Sequence, residues 1–281
     1  MALMEEAAAA GLHRVGARPP LGEYLLETWQ RRDFLYMMAR SRLRASFEKN
    51  RLGIVWVVLR PTINAAIYGL IFGVLQQGAR PPDYIAFVVI GVFLFEFFSK
   101  SMNDGSKSIT GNRALVQSLS FPRLTLPLGE VLEHLMSLVP MLGVMFLYLI
   151  ILGHYPRVEW LLLVPLLAIY TMFNVGIAMI GARLTVHVAD LSQLLPFVSR
   201  ILFYTSGVLF DVGRLLRGHP FLVTLYDFHP IYQVLQIARS ALMPGLPYNP
   251  LYWAYLSVWA VVIFVGGLIF FWLAEERYGR D

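Results

Sequence analysis

No cysteine occurs in the 281 residues, which excludes a disulfide framework, a thiolate nucleophile and any zinc site built on Cys. Charge is scarce as well. Charged residues make up 15% of the chain, against about a quarter in a soluble domain. The seven aspartates, at 33, 83, 104, 190, 211, 227 and 281, never form a D-x-D pair. An enzyme handling metal-bound sugar nucleotides on polyprenyl phosphate needs clustered carboxylates of that kind. No G-x-x-x-x-G-K-[ST] loop is present, so the chain has no P-loop ATP site. No Ser/His/Asp arrangement is legible, and His13, His154, His187, His219 and His229 are scattered. Glu130, Glu133 and His134 would share one helical face, but three ligands from one stretch read as a polar patch rather than a metal site. A signal peptide is not expected, because Ala7 to Ala10 is a short run preceded by Glu5 and Glu6.

What the chain has is apolar length. Hydrophobic residues make up 57% of it, with a mean hydropathy of +0.60. Six segments, at roughly 54–76, 84–102, 127–152, 159–182, 193–212 and 250–273, approach the ~20 residues that span a bilayer. They are continuously apolar and too long for barrel strands. The expected fold is an all-α membrane protein with six transmembrane helices, an N-terminal amphipathic interface helix, and re-entrant helices before the last span. Positive residues gather before the first span (Arg14, Arg18, Arg31, Arg32, Arg40, Arg42, Arg44, Lys49, Arg51), after the second (Lys107, Arg113, Arg123) and at the end (Arg277, Arg280), whereas 77–83 and 153–158 hold only Arg80 and Arg157. That bias predicts a multi-pass protein with both termini cytoplasmic. The net charge of +5 sits at membrane borders and does not indicate nucleic acid as a partner.

Three stretches carry more than hydropathy. The stretch 40–61, RSRLRASFEKNRLGIVWVVLRP, runs from basic to apolar, and its arginines flank an apolar stripe that begins just before it, Leu35, Ala39, Leu43 and Phe47, at every fourth residue. This is the make-up of a helix lying among anionic headgroups before the chain turns into the bilayer. The segment 103–126 offers Asp104 and Ser106 as caps for a short helix at about 106–119, which Phe121-Pro122 breaks. The segment 207–249 mixes Gly207, Gly213, Gly218, Pro220, Pro230, Pro244 and Pro247 with apolar runs too short to span. Two re-entrant or interfacial helices are expected there, forming an outer gate.

In order and spacing these elements resemble the permease subunit of ABC-2 type polysaccharide exporters, the Wzm, KpsM and TagG group. The residues that carry the resemblance are Leu52-Gly53-Ile54-Val55-Trp56 with Pro61, Gly91 to Phe98, Asn112 and Leu115 with Phe121-Pro122 and Pro127, Ser206 to Phe210, and His229 to Arg239. Three departures bear on substrate contacts and gate shape: Glu96 in place of an aromatic, Val188-Ala189-Asp190 in place of Arg-Asp, and Ser206-Gly207-Val208 in place of a Pro-containing turn. The resemblance implies a cytoplasmic segment over 1–52 and an ABC-2 transmembrane domain over 53–281. It implies a transport subunit rather than an enzyme, with no cofactor of its own and with ATP and Mg held by a separate ABC ATPase. The assembly would contain a second copy of the chain and two ATPase subunits in a bacterial cytoplasmic membrane. It would move a polyprenyl-pyrophosphate-linked glycan of O-antigen, teichoic acid or galactan type, the last fitting an arginine-rich actinobacterial composition.

Within that frame, Arg60 and Arg200 stand in apolar segments, where a charge costs ~2.5–3.5 kcal/mol at mid-membrane. They are candidate contacts for the pyrophosphate, because Arg–phosphate hydrogen bonds are charge-assisted. Trp56, Tyr68, Phe72, Phe95, Phe98, Phe146, Tyr148, Tyr204 and Phe210 are candidates for an aromatic lining over which the C–H faces of sugars slide. Ser106, Lys107, Asn112, Arg113 and Leu115 would form the coupling surface for the ATPase. The alternatives are an ABC-2 permease for small drugs or lipids, and a polyprenyl-phosphate glycosyltransferase.

Overall fold

The computed structural model describes residues 19–48, 55–75, 83–119, 121–216, 218–246 and 248–275. The expected features at 1–18, Lys49 to Ile54, Arg80, Pro247, Arg277 and Arg280 lie outside these, as does the Phe47 side chain. The described residues form twelve α-helices and no strand: α1 (Leu21–Gln30), α2 (Arg32–Glu48), α3 (Val55–Leu75), α4 (Tyr84–Ser106), α5 (Arg113–Ser118), α6 (Thr125–Ile151), α7 (Leu163–His187), α8 (Leu191–Thr205), α9 (Val212–Leu215), α10 (Pro220–Asp227), α11 (Pro230–Leu242) and α12 (Leu251–Trp272). Short 3-10 turns at Thr110–Asn112 and Val158–Leu162 precede α5 and α7.

Among the described residues, four helices are long and apolar enough to cross a membrane: α4, α6, α7 with its 3-10 lead, and α12. The apolar run of α3, Val58–Val74, is shorter. The 15 residues of α8 reach about 22 Å at helical rise, short of a ~30 Å hydrocarbon core. α8 stops at Thr205 instead of continuing to 212 because Gly207 adopts φ +73°, the left-handed backbone that ends helices and that glycine takes without strain.

α4 is buried over most of its surface and leaves one half-buried polar stripe, Glu96, Ser99, Lys100 and Asn103. α7 packs on it and in turn on α12; α6 and α3 flank it, and α8 crosses its open face. Small residues set the closest approaches, as in other membrane helix pairs. A Cβ on Gly176 of α7 would lie 2.6 Å from the Ile263 carbonyl of α12, and one on Gly267 would lie 2.7 Å from the Gly176 carbonyl. Thr185 of α7 donates to the Ser106 carbonyl of α4.

At one end of the bundle, Arg239 of α11 is fully buried. Its guanidinium donates to the carbonyls of Gly207 and Val208 (both 2.9 Å) and of Phe87 (3.2 and 3.3 Å), and lies over the Phe87 ring. Among the described residues no carboxylate pairs with it, and the carbonyl dipoles with the Phe87 ring face compensate the charge at close range. The approach requires Gly91: a Cβ there would sit 2.7 Å from the guanidinium and 2.9 Å from the Val208 carbonyl. The Tyr84 hydroxyl donates to the Leu209 carbonyl at 2.8 Å, and Asp83 meets His154 at 3.5 Å. The turn after α8, the start of α4, α11 and the far end of α6 are thereby tied together.

At the opposite end, Glu275 is 3% exposed just beyond α12. It accepts from the Tyr24 hydroxyl at 2.7 Å and from the Arg123 backbone and guanidinium at 3.2 and 3.3 Å. The Tyr24 oxygen accepts in turn from the Leu124 backbone N–H at 3.0 Å. Burial pushes the Glu275 carboxyl above its ordinary range, although Tyr24 and Arg123 pull it back. α2 lies along α6, and its expected lipid-facing stripe points inward instead. Ala39 is buried and Leu35 and Leu43 are half-buried, whereas Phe34, Tyr36 and Met37 of α2, like Leu26 and Trp29 of α1, are exposed. The stripe covers α6 because Arg42 is paired with Glu130 there.

Arg239→Ala is expected to lower unfolding stability by on the order of 3 kcal/mol, because it strands three buried carbonyls. Gly176→Leu is expected to cost about 1–3 kcal/mol through overpacking. Thermal unfolding of the detergent-solubilised chain measures both.

Candidate functional site

A groove of about 230 Å³ opens between α3, α4 and α8. Helical spacing supplies its walls: Asn64 and Tyr68 from α3; Val92, Phe95, Glu96, Ser99 and Asn103 from α4; Pro196, Ser199, Arg200 and Phe203 from α8. The hydroxyls of Ser99 and Ser199 meet at 2.6 Å and join α4 to α8 in its floor. The Asn103 amide donates to the Ser99 carbonyl at 2.7 Å, leaving its own oxygen unpartnered. Phe203 is the aromatic hub, with ring centroids 5.0 Å from Tyr68, 5.1 Å from Phe95 and 5.4 Å from Tyr204. Glu96 pairs with Lys100 one turn on, at 3.2 Å. Arg200 is exposed, and among the described residues it has no carboxylate partner. Groups of this kind can bind an anion at Arg200, stack an apolar ring face on Phe203 and Tyr68, and exchange hydrogen bonds with hydroxyls along Ser99 and Asn103.

The sequence-derived candidates divide around this groove. Tyr68, Phe95 and Arg200 line it, and Tyr204 adjoins it. Phe98 is buried behind Phe95 and stacks on Phe173 at 6.3 Å. Trp56, Arg60 and Phe72 continue the i, i+4 ridge of α3 that carries Asn64 and Tyr68. Arg60 is exposed, with its guanidinium 5.8 Å from the Trp56 ring rather than against Glu96. Phe146 and Tyr148 belong elsewhere: Phe146 packs on Trp160 at 4.9 Å, and Tyr148 packs on the core from α6. Phe210 lies in the turn after α8, half-buried.

A model of the ABC-2 type transporter family matches residues 32–243. The chain belongs to the ABC-2 type transporters. It is 24% identical over 249 residues to an O-antigen export system permease protein, RfbA, of Klebsiella pneumoniae, covering 88% of this chain and 94% of that one. It is 25% identical over 189 residues to RfbA of Myxococcus xanthus, covering 67% and 72%. It is 23% identical over 236 residues to the polysialic acid transport protein KpsM of Escherichia coli, covering 83% and 90%.

In this ABC-2 chain the segment expected as one helix at 106–119 is broken. α4 runs on through Ser106, so Asp104 and Ser106 are not caps. Asp104 instead meets His134 at 3.0 Å. A 3-10 turn and the six-residue α5 follow. Ser106 is fully buried beside Gly181. Lys107 and Arg113 are exposed, and Leu115 is half-buried. Asn112 accepts from Arg42 at 3.1 Å, so α2 holds this loop against α6. Glu130 and His134 turn to different partners, Arg42 and Asp104. Among the described residues no group of three or more His, Cys, Asp or Glu is arranged to hold a metal ion.

The segment 207–249 folds as α9, α10 and α11, joined to α12 where Trp259 donates to the Phe228 carbonyl at 2.8 Å. Phe203, Asn64, Ser99, Asn103 and Ser199 were not singled out by sequence reasoning. Their signal was available, because 92, 96, 99 and 103 on α4 and 196, 199 and 203 on α8 each recur at helical spacing.

His229 caps α11 by accepting the Tyr232 N–H at 3.3 Å, which requires a neutral ring. Burial lowers its pKa below the ordinary 6.5. Its contribution is therefore present above pH 6.5 and lost as pH falls through the lowered value. Hydrogen-exchange protection factors at the start of α11, which divide out the intrinsic slowing of exchange in acid, are expected to fall on acidification in the wild type. In His229→Asn, a cap that does not titrate, this dependence is expected to disappear.

Proposed function

We propose that this ABC-2 permease is the membrane subunit of an ATP-driven exporter of a lipid-linked cell-envelope polysaccharide. The reading is carried by the groove between α3, α4 and α8, where an unpaired arginine stands at the edge of an aromatic, amide- and hydroxyl-bearing wall. Similarity to O-antigen and polysialic acid permeases over most of the chain supports it. Arg200, with Arg60 further along the α3 ridge, holds the pyrophosphate of a polyprenyl carrier. Phe203, Tyr68 and Phe95 offer faces to sugar rings, and Ser99, Asn103 and Asn64 exchange hydrogen bonds with hydroxyls as the glycan passes. Such a lining speaks against a cargo of small apolar drugs or lipids.

The chain lacks a P-loop, so ATP and Mg are bound by a separate ABC ATPase, two copies of which act on two permeases. Exposed Ile63, Ile67 and Leu70 of α3, with Phe197 and Ile201 of α8, form the face that meets the second copy, and the groove opens beside it. The protein sits in the bacterial cytoplasmic membrane, with α3 as a fifth crossing, α8 and the turn that continues it as a sixth, and both termini cytoplasmic. Lys107, Arg113 and the rest of the 107–119 loop receive the ATPase, and α9 to α11 form the outer gate. Leu26, Trp29 and Met37, with their neighbouring arginines, rest in the cytoplasmic headgroup layer.

The test is ATPase activity of the complex purified from native membranes, titrated with polyprenyl-pyrophosphate-linked glycan. The wild type is expected to be stimulated. Arg200→Ala is expected to raise the half-stimulating concentration about tenfold, the equivalent of ~1.4 kcal/mol from one lost charge-assisted bond. No ATPase in the complex, or no response to lipid-linked glycan, would contradict the exporter. An unchanged titration in Arg200→Ala would remove the groove from the path.

A further inference from the structure

The groove reaches Asn103 of α4, one turn before the loop on which an ATPase acts, and the exporter reading leaves open what carries movement to the helices beyond α4. The buried ionic knot at the same end of the bundle bears on this. Glu275 follows the last apolar helix, Tyr24 belongs to the first helix, and Arg123 and Leu124 form the turn that ends the loop and starts α6. One carboxylate and one hydroxyl bind all three. Two further contacts run parallel to the knot. The Trp272 indole donates to the Pro19 carbonyl at 2.9 Å, and Phe34 packs on Phe121 with centroids 5.8 Å apart.

A 3%-exposed carboxylate is costly to bury unless each contact is kept. The knot is therefore held closed, and a displacement of residues 121–124 cannot leave Tyr24 or Glu275 behind without stranding a charge. We infer that Glu275 is a positioning residue that makes α1, the 121–124 turn and the end of α12 move as one body. Force delivered to the loop then reaches α12, and through its glycine contact α7, as well as α4 and α6. This rests on the exporter reading for the origin of the force, but the rigid body itself does not.

The absence of cysteine permits a direct test. Spin labels on Leu26→Cys in α1 and Leu119→Cys beyond α5, both exposed, report the spacing of α1 and the loop in native-lipid nanodiscs. The wild type is expected to give one narrow distance distribution. Glu275→Ala is expected to broaden it at least twofold, and Glu275→Gln, whose single amide oxygen keeps the Arg123 half of the knot only, to narrow it again in part. In the reconstituted complex, Glu275→Ala is expected to lose fivefold or more in glycan exported per ATP while ATP hydrolysis stays within twofold of wild type. An unchanged distribution, or unchanged export per ATP, in Glu275→Ala would overturn the inference. If that variant does not fold, Tyr24→Phe, which keeps the ring and removes the hydroxyl, decides in the same way. A wild-type complex without transport, but with the distribution behaving as described, would overturn the exporter reading and leave the rigid body standing.

Discussion

A single guanidinium organises one end of this molecule. Arg239 is wholly buried among apolar helices, where an uncompensated charge would be prohibitive. Three backbone carbonyls and the face of Phe87 compensate it. Two of those carbonyls are free only because α8 ends at Gly207, and the approach is open only because residue 91 of α4 is glycine. Ending α8 early, threading a short-helix segment back onto the bundle and leaving α4 without a side chain at Gly91 are thus one structural decision. The free carbonyls of the broken helix are themselves satisfied by the guanidinium, so irregular backbone is tolerated inside an apolar bundle.

The crossing of α8 over α4 shapes the groove: the helices meet at the Ser99–Ser199 contact, and Phe203 is set between Tyr68 and Phe95. At the opposite end the polar contacts have another character. Arg42 with Asn112 and Glu130, Asp104 with His134, and Glu275 with Tyr24 and Arg123 each join elements distant in sequence. Polar groups therefore hold both ends of the bundle, and glycine-mediated contact holds its middle.

Much of this was legible in the residues, unevenly. The all-helical membrane class follows from apolar run length alone, and the breaks around Gly207, Pro220 and Pro230 announced short helices. Tyr68, Phe95, Tyr204 and Arg200 could be picked as chemically apt side chains, but nothing local separates them from Phe146 or Tyr148. Which helix meets a given face depends on tertiary packing: Glu96, Ser99 and Asn103 mark a polar side of α4, but nothing local says that α3 and α8 flank it. The stripe Leu35, Ala39, Leu43 was read as lipid-facing because an amphipathic helix looks the same against lipid and against α6. Arg239 stood within a recognised motif, yet its role depends on carbonyls of residues 87, 207 and 208, which no local pattern brings together. Glu275 lies at a position where a charged residue after a span reads as ordinary solvated sequence.

The measurement that tests the central claim most directly is photo-crosslinking during transport. A benzoylphenylalanine in place of Phe203, compared with one in place of Phe146, would be irradiated in the reconstituted complex with labelled polyprenyl-pyrophosphate-linked glycan and ATP. The account predicts a covalent adduct to the glycan at 203 that depends on ATP, and none at 146. Adducts at 146 with none at 203, in a complex that exports the glycan, would contradict it.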